Sequence, residues 1–398
     1  MDSFAERSVV IRLPDIARRT IDENQFPTQV VDKIVTLIGE IPDATIRQLD
    51  DPGAPDLDEW QQYIDLYQNH SWLQVPWFFA EAYFYRRILE ATGYFQPGPM
   101  AGVDPFTLQK QLGLEKTLDA IEILANYLLN SLSNDFCSQS DWRYSGISHF
   151  LSAALWGNQV DLSMWPFGKG REPIQTNLGN QNDHLLVDDR YSALAYLLKT
   201  NYPPKRVDIL VDNAGFELVC DLCLADFLLT SKTVENAILQ LKAHPTFVSD
   251  AVHPDIHNTI NFLIRQHDPA TRDLGNRLLG HVDQERILLK DHFFWNSPLP
   301  MWEAPLTLAH ELSQSHLVIS KGDANYRRLL GDRHWPFTTP FSKIVSFIPV
   351  PVLALRSLKS EVISGLTPSQ PEDLDREDPQ WLINGRWGII QFHYPQEL

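Results

Sequence analysis

The sequence has few cysteines and few basic residues, and each scarcity excludes a class of protein. Three cysteines, Cys137, Cys220 and Cys223, are too few for a disulfide framework and suit a reducing compartment, so we expect a cytoplasmic or nuclear protein. Lys and Arg total 33 against 51 Asp and Glu, which gives a net charge of −18. Basic residues interleaved with aromatic ones are missing, so we predict no nucleic-acid-binding surface.

Long hydrophobic runs and several common motifs are also missing. The longest apolar run, residues 344–355, contains a serine and two prolines and is too short to span a bilayer. The amino terminus carries acidic residues and lacks the apolar segment of a signal peptide. Neither a G-x-x-x-x-G-K-[ST] phosphate loop nor a G-x-S-x-G serine-hydrolase elbow is present. We therefore expect no membrane partner, and nothing in the sequence specifies an oligomeric state.

The pair Cys220 and Cys223 has the C-x-x-C spacing of redox sites and of half a zinc site. A second cysteine pair, which a zinc site would need, is missing. Both residues fall within an apolar pattern of helical spacing. We interpret them as buried helix residues.

The chain is nevertheless rich in core-forming residues, with 43% hydrophobic residues over 398 positions. Apolar residues recur at helical spacing over residues 15–39, 58–92, 108–132 and 147–156, with one strong helix beginning near Pro76. The segment 163–183 is rich in Gly, Pro and Asn and predicts a long loop. We place a domain boundary there, with an α-helical region over residues 1–183 and an α/β domain over residues 184–398.

In the second half, each of four segments contains an apolar run that ends abruptly in charged or polar residues: residues 209–213, 246–250, 317–328 and 352–359. Helical patterns follow the first two runs, at residues 216–229 and 254–267. This strand-then-helix order predicts a mainly parallel sheet covered by helices. Parallel strands bring their carboxyl ends to one side of the sheet, so we expect the polar ends of the four runs to converge on one crevice.

Oxygen ligands for a metal stand at two of these strand ends. Asp212 and Asn213 end the first run and Asp250 ends the second. Carboxylate and amide oxygens suit Mg²⁺ or Mn²⁺, which keep several waters beside a few protein ligands. Taken alone, Asp212 and Asn213 could equally form an Asx turn that caps the next helix.

Cations follow the other two runs. Lys321 opens the segment Lys-Gly-Asp-Ala-Asn-Tyr-Arg-Arg at a junction of strand and helix, where backbone N–H groups and a lysine suit a phosphate. The alternative to a phosphate site is an ordinary helix with a polar first turn, capped by Asp323 or Asn325. Arg356 and Lys359 add two cations after the fourth run. A metal beside such cations predicts phosphoester chemistry.

In that chemistry Asp212, Asp250 or Asp323 would orient the nucleophile. Direct attack by water and a phosphoaspartyl intermediate both remain open at this point.

Several of these segments resemble the signature segments of the metal-dependent damage-control phosphatases. They are residues 211–218, 247–250 and 320–332, and the closest branch is the sugar-phosphate one, whose animal members are also called acidic residue methyltransferases. Residues 356–359, Arg-Ser-Leu-Lys, resemble that branch's Arg-Thr-x-Lys signature with a serine that retains the hydroxyl. Residues 80–87 and 155–163 are also similar to family segments, so the resemblance spans nearly the whole chain.

The resemblance implies a helical N-terminal region on a Rossmann-like α/β/α sandwich, and a phosphatase that hydrolyses fructose 1-phosphate, fructose 6-phosphate or similar sugar phosphates as metabolite damage control. It implies Mn²⁺, Co²⁺ or Ni²⁺ as cofactor, with Mg²⁺ also possible, held by Asp212, Asn213 and Asp250. Together with the residue patterns, it predicts as substrate-binding residues Asp212, Asn213, Lys321, Asp323, Ala324, Asn325, Tyr326, Arg327 and Lys359.

Two other functions stay open. Glu217 matches a position assigned to S-adenosylmethionine in the family's methyltransferase annotation, and it is equally a first-turn carboxylate favoured by the helix dipole. The alternatives to a phosphatase are thus an S-adenosylmethionine-dependent protein-glutamate O-methyltransferase and a non-catalytic phosphosugar-binding protein. We also expect the helical region to cover the crevice, with Glu81, Arg86, Asn158 or Asp161 reaching toward substrate.

Overall fold

The computed structural model describes residues 3–157, 183–199 and 206–395. These residues form two units. The first comprises the described residues of Met1–Gln111 with Lys242–Asp250 and His292–Leu299, and the second comprises those of Leu112–Leu241, Ala251–Asp291 and Pro300–Leu398. Asn158, Asp161 and the predicted loop up to residue 182 lie outside the described residues. The predicted boundary between residues 183 and 184 stays a prediction.

The first unit is helical, as predicted. Its helices are Phe4–Arg7, Leu13–Asp22, Thr28–Glu40, Leu57–Asp65 and Trp77–Thr92, with a π-helical turn at Ser8–Arg12. Residues 15–39, where apolar residues recur at helical spacing, belong to two helices, because Pro27 supplies no N–H and stands immediately before the second one. Helix Trp77–Thr92 begins after Pro76, as expected, and its aromatic residues build this unit's core.

The second unit is built on a seven-stranded sheet. The strands are β1 Leu185–Asp188, β2 Arg206–Leu210, β3 Asn236–Lys242, β4 Ile287–His292, β5 Leu317–Lys321, β6 Val352–Ser357 and β7 Gly388–His393. Their spatial order is β1-β7-β6-β5-β2-β3-β4. β2 pairs in parallel with β3 and with β5, β5 with β6, and β1 with β7, whereas β6 and β7 are antiparallel. The predicted α/β class with a mainly parallel sheet is confirmed.

Helices connect and flank these strands. They are Leu118–Ser131, Asn134–Cys137, Trp142–Trp156, Arg190–Leu198, Phe216–Thr230, His253–Ile264, Pro269–Asp283, Leu306–Leu312, Gly322–Leu330, Phe341–Ile344 and Gln370–Glu377. A further helix, Thr107–Glu115, spans the division between the units, and short 3₁₀ turns occur at Phe293–Asn296 and Met301–Glu303. Helix Phe216–Thr230 is buried from its first residue to Leu229. Cys220 and Cys223 lie fully buried within it, which confirms their interpretation as helix core residues.

The predicted strand at residues 246–250 is wrong. Phe247 and Val248 have positive φ angles of 48° and 67°, which a strand does not accommodate, so this segment is a turn. The strand of this region is β3, which begins ten residues earlier at Asn236. Strands β1, β4 and β7 were not predicted from the sequence, because their apolar runs are short or are interrupted by polar residues.

The strand order creates a topological switch point between β2 and β5. From β2 the chain continues to β3 on one side of β2, and later returns to place β5 on the other side. The register aligns Ile209 of β2 with Leu239 of β3 and with Ile319 of β5. In open α/β sheets, ligands bind beyond the carboxyl ends of the strands at such a point.

Candidate active site beyond strands β2 and β5

Asp212 and Gly322 meet beyond the carboxyl ends of β2 and β5. Asp212 is the second residue after β2, and Gly322 directly follows β5. Gly322 has φ +83°, and a β-carbon built on it would overlap the carboxylate of Asp212. Glycine is therefore required here both for the backbone conformation and for the close approach of the aspartate.

Asn213 is oriented by two carboxylates. Its Nδ2 donates to Asp212 Oδ2 at 2.8 Å and to Glu217 Oε2 at 2.8 Å. Both amide hydrogens therefore point toward anions, and the amide oxygen lies on the opposite side of the group. An amide oxygen presented in this way, next to a buried carboxylate, is a hard oxygen donor suited to a divalent cation.

Lys321 lies in the interior rather than in the crevice. Its Nζ is 3.1 Å from Glu217 Oε1 and 3.0 Å from Asp221 Oδ1, and only 1% of the side chain is exposed. Burial alone would lower the pKa of Lys321, but Asp221 and Glu217 outweigh it and hold that pKa above its ordinary value. The lysine is thus a buried cation engaged with two carboxylates.

Asp221 is a member of this cluster that the sequence analysis missed. Burial raises its pKa to about 7, against the opposing effect of Lys321. A signal was available, because Glu217 and Asp221 stand four residues apart in a helix that is otherwise strongly apolar. Acids at that spacing share a helix face and, when buried, need a common partner.

Asp323 is the ionised acceptor at the start of helix Gly322–Leu330. Arg356 Nε donates to its Oδ1 at 2.8 Å, and Ser360 Oγ donates to the same oxygen at 2.9 Å. Burial would raise the pKa of Asp323, but Arg356 and Arg327 outweigh it, so the pKa lies below its ordinary value. This carboxylate therefore accepts hydrogen bonds and is a weak base.

The other side chains of the predicted run turn inward. Asn325 Nδ2 donates to the carbonyl oxygen of Lys321 at 2.9 Å, and Tyr326 Oη donates to Gln391 Oε1 at 2.8 Å. Arg327 pairs with Asp332 at 2.7 Å. All three side chains are buried. Gly322, Asp323 and Ala324 are only partly buried, so the solvent-facing part of the run is its first turn.

Arg356 and Lys359 play different parts, although the sequence analysis grouped them as two cations beside the crevice. Arg356 is buried and binds Asp323, Ser360 and the carbonyl oxygen of Val362, with its guanidinium 4.6 Å from the centre of the Tyr326 ring. Lys359 is half-buried and makes no hydrogen bond or ion pair with the residues that the structure describes. Of the two, only Lys359 offers a cation to a ligand.

The remaining predicted residues belong to the first unit. There Asp250 is buried, with its Oδ2 3.2 Å from Lys242 Nζ. Glu81 pairs with Arg12.

Arg86 is fully buried in the first unit, with Nη1 2.8 Å from Asp51 and Nε 2.8 Å from Asp56. The expectation that Arg86 reaches toward substrate is wrong, because the two carboxylates hold it in the core of this unit.

A three-residue cluster of His, Cys, Asp and Glu arranged to hold a metal does not occur within the described ranges. The predicted ligand set is of another kind, with two aspartates and one asparagine amide. Its donors are all oxygen atoms, which suits Mg²⁺ or Mn²⁺ rather than zinc in a nitrogen and sulfur site.

An open, mainly parallel sheet with a buried aspartate, an oriented amide and a helix start at its switch point defines an α/β protein of the doubly wound class. Comparison with known proteins gives the particular family. The family described as "Damage-control phosphatase ARMT1-like domain" matches residues 9–374. Proteins called damage-control phosphatase ARMT1 are similar over 99% of this chain and 97% of their own length: 34% identity in Bos taurus, 33% in Rattus norvegicus and 31% in Homo sapiens.

The chain therefore belongs to the ARMT1-like family of damage-control phosphatases and is a phosphomonoester hydrolase. This confirms the family predicted from the sequence segments, and members of this family generally depend on a divalent metal. The methyltransferase alternative gains no support from these relatives.

A solved DUF89 family protein from Pyrococcus horikoshii aligns over 96% of this chain and 97% of its own, with 12% identity and a TM-score of 0.46. Within the described residues, no helix combines the length and the apolar character needed to cross a membrane.

Proposed function

We propose that this protein hydrolyses small sugar phosphates of the fructose 1-phosphate or fructose 6-phosphate type, as metabolite damage control. We assign the divalent metal, Mn²⁺, Co²⁺, Ni²⁺ or Mg²⁺, to Asp212 and Asn213, which are in contact with each other, and Asp250 stays a predicted ligand. The observation that carries this proposal is the orientation of Asn213, whose nitrogen donates to Asp212 and Glu217 and whose oxygen faces the other way. A bound ion would polarise a phosphoryl oxygen and lower the pKa of bound water.

The substrate phosphate would lie at the start of helix Gly322–Leu330. The partly buried first turn supplies backbone N–H groups and the positive end of the helix dipole. Lys359 supplies the charge, since it is half-buried and without an ion-pair partner among the described residues. Lys321, Asn325, Tyr326 and Arg327 would then act by holding this helix and strand end in place.

Asp323 favours a sugar over a simple phosphate ester. Its carboxylate is held ionised by Arg356 and Arg327, so it repels a phosphate oxygen and accepts a hydrogen bond from a hydroxyl group. A substrate that carries hydroxyl groups near its phosphate satisfies both this carboxylate and the neighbouring N–H groups. This arrangement supports a phosphosugar as the substrate class.

The same lowered pKa argues against Asp323 as the group that takes a proton from the nucleophile, because a weaker base is a poorer general base. Of the three predicted catalytic carboxylates, this leaves Asp212 or Asp250 to orient the attacking water.

The test is phosphate release by the whole protein after removal of metal with a chelator. Fructose 1-phosphate, fructose 6-phosphate and a panel of other sugar phosphates are assayed with and without Mn²⁺, Co²⁺, Ni²⁺ or Mg²⁺. We expect metal-dependent release that Asp212→Asn abolishes and that Asp135→Asn, the same change at an exposed aspartate, leaves unchanged.

Absence of phosphate release under every metal would contradict the proposal. Tight binding of fructose 1-phosphate without turnover would instead favour a binding protein. Methyl transfer from S-adenosylmethionine to a protein glutamate, without phosphate release, would favour the methyltransferase.

A further inference from the structure

Glu217 uses its two carboxylate oxygens on two different partners. Oε1 lies 3.1 Å from Lys321 Nζ, and Oε2 accepts from Asn213 Nδ2 at 2.8 Å. The side chain is 5% exposed, so water does not compete effectively for either contact. Both oxygens are thus engaged with the chain itself.

Each of the two partners of Glu217, Lys321 and Asn213, contacts a further carboxylate. Lys321 Nζ also pairs with Asp221 at 3.0 Å, and Asn213 Nδ2 also donates to Asp212 at 2.8 Å. A connected series therefore runs from Asp221 through Lys321, Glu217 and Asn213 to Asp212. It links a lysine at the end of β5 with the two polar residues that follow β2.

The series determines the orientation of the Asn213 amide, that is, whether its nitrogen or its oxygen lies toward Glu217 and Asp212. An asparagine side chain can rotate by half a turn and exchange its oxygen and nitrogen. Glu217 Oε2 and Asp212 Oδ2 both accept, so they select the orientation with Nδ2 toward them. Lys321 occupies Oε1 as a donor, which leaves Oε2 for Asn213.

We propose that Glu217, held by Lys321, is a positioning residue that presents the Asn213 oxygen to the divalent metal. This inference rests on the proposed function, in which Asp212 and Asn213 are metal ligands. It gives Glu217 a role within the chain, different from the two alternatives that the sequence left open, a contact with S-adenosylmethionine and a first-turn carboxylate. It also gives Lys321 a buried role in place of the predicted phosphate contact. Partners that orient metal ligands are typically worth 10- to 100-fold in metal affinity.

Two substitutions, each of which removes one buried negative charge, distinguish the positioning role of Glu217 from a general effect of losing a buried acid. Glu217→Gln leaves one acceptor where two are used, so either Asn213 or Lys321 loses its partner. Asp221→Asn retains an oxygen for Lys321, the only ion-pair partner of Asp221 among the described residues. Both positions lie on helix Phe216–Thr230 and are buried.

The experiment measures Mn²⁺ binding to the metal-free whole protein by calorimetry and by electron paramagnetic resonance of the free ion. We expect Glu217→Gln to weaken binding by roughly 10- to 100-fold and Asp221→Asn by less than about threefold. Excess Mn²⁺ should restore phosphate release by Glu217→Gln but not by Asp212→Asn. Circular dichroism verifies that each variant is folded.

In a second comparison, Glu217→Gln should have the opposite effect on Mn²⁺ binding. Asn213→Asp puts a third carboxylate against Asp212 and Glu217, where the amide hydrogens had been. In that background Glu217→Gln should strengthen Mn²⁺ binding, because the glutamine amide can donate to the new carboxylate. A purely structural role for Glu217 would weaken binding in both backgrounds.

The possible results are distinct. If Asp212→Asn removes Mn²⁺ binding while Glu217→Gln binds normally, the positioning role is overturned and the proposed function stands. Equal losses in Glu217→Gln and Asp221→Asn also overturn it, since they indicate a general effect of buried charge. If Asp212→Asn binds Mn²⁺ like the unmodified protein, both the proposed metal site and this inference fall.

Discussion

The α-carbon of Gly322 lies against the carboxylate of Asp212, so closely that a β-carbon at position 322 would overlap it. The contact joins the ends of β5 and β2, the two strands that flank the topological switch point. The absence of a side chain at Gly322 thus determines where the carboxylate of Asp212, our proposed metal ligand, can lie.

We expect Gly322→Ala to reduce phosphate release by roughly 100-fold or more, because displacing a catalytic group by about 1 Å can cost that much. Gly331→Ala is the matched control. Gly331 also has a positive φ, +68°, and its β-carbon would meet the ring of Trp302 rather than Asp212. Both variants should lose stability. Equal activity losses in the two would contradict a specific role for the Gly322 contact.

Lys359→Met should raise KM for the phosphosugar by roughly 10- to 100-fold, since a hydrogen bond to a charged group contributes about 1.5–3 kcal/mol. The free energy of unfolding should change little, because Lys359 has no ion-pair partner among the described residues. Steady-state kinetics and urea unfolding measure the two quantities. Lys343→Met, at an exposed lysine, serves as control. An unchanged KM would remove Lys359 from the site.

Arg356→Lys should lower the free energy of unfolding by about 3 kcal/mol, because one ammonium cannot replace a fork that binds Asp323, Ser360 and a carbonyl oxygen together. The pKa of Asp323 should also rise toward its ordinary value, which a pH–rate profile would show. Arg376→Lys, at an arginine that is 74% exposed, should change stability by less than about 0.5 kcal/mol. Equal effects of the two substitutions would contradict this role of Arg356.

Asp221 should make the protein less stable as pH rises toward 7. Its pKa is raised to about 7 by burial, whereas an aspartate in the unfolded chain has a pKa of about 4. Between these values the folded state holds a proton that the unfolded state has released, so raising the pH favours unfolding. Asp221→Asn should therefore gain stability relative to the unmodified protein from pH 4 to pH 8. If the free energy of unfolding changes with pH in the same way in Asp221→Asn and in the unmodified protein, the raised pKa of Asp221 is contradicted.

The contribution of Asp56 to stability should depend on pH in the direction opposite to that of Asp221. Burial would raise its pKa, but His244 and Arg86 outweigh burial and lower it to about 2. Its contribution to stability is then present above pH 4 and is lost as pH falls through 2. Asp56→Asn should lower the free energy of unfolding at pH 7 by about 3–5 kcal/mol, because Arg86 loses a buried partner.

The difference in free energy of unfolding between Asp56→Asn and the unmodified protein should become smaller below pH 4. Thermal unfolding at a series of pH values measures it, with Asp15→Asn, at an exposed aspartate, as the control. A difference that stays constant down to pH 2 would contradict the lowered pKa of Asp56.

The sequence by itself predicted the class of fold, because the runs at β2, β5 and β6 combine apolar residues with a polar end and two of them precede a helix. It also predicted helix Trp77–Thr92 and the buried state of Cys220 and Cys223, since periodicity and proline placement are local properties. It failed at residues 246–250, where an apolar pair adopts positive φ that no local pattern indicated.

At the candidate site, local sequence indicated which residues stand at the strand ends but not which way their side chains turn. Lys321 and Asp323 are two positions apart, yet one is buried between Glu217 and Asp221 and the other is partly exposed beside Arg356. These partners are separated by up to 104 residues in the chain, so only tertiary packing brings them together. Burial then makes each unpaired charge costly, and this cost selects the orientation of every side chain in the cluster.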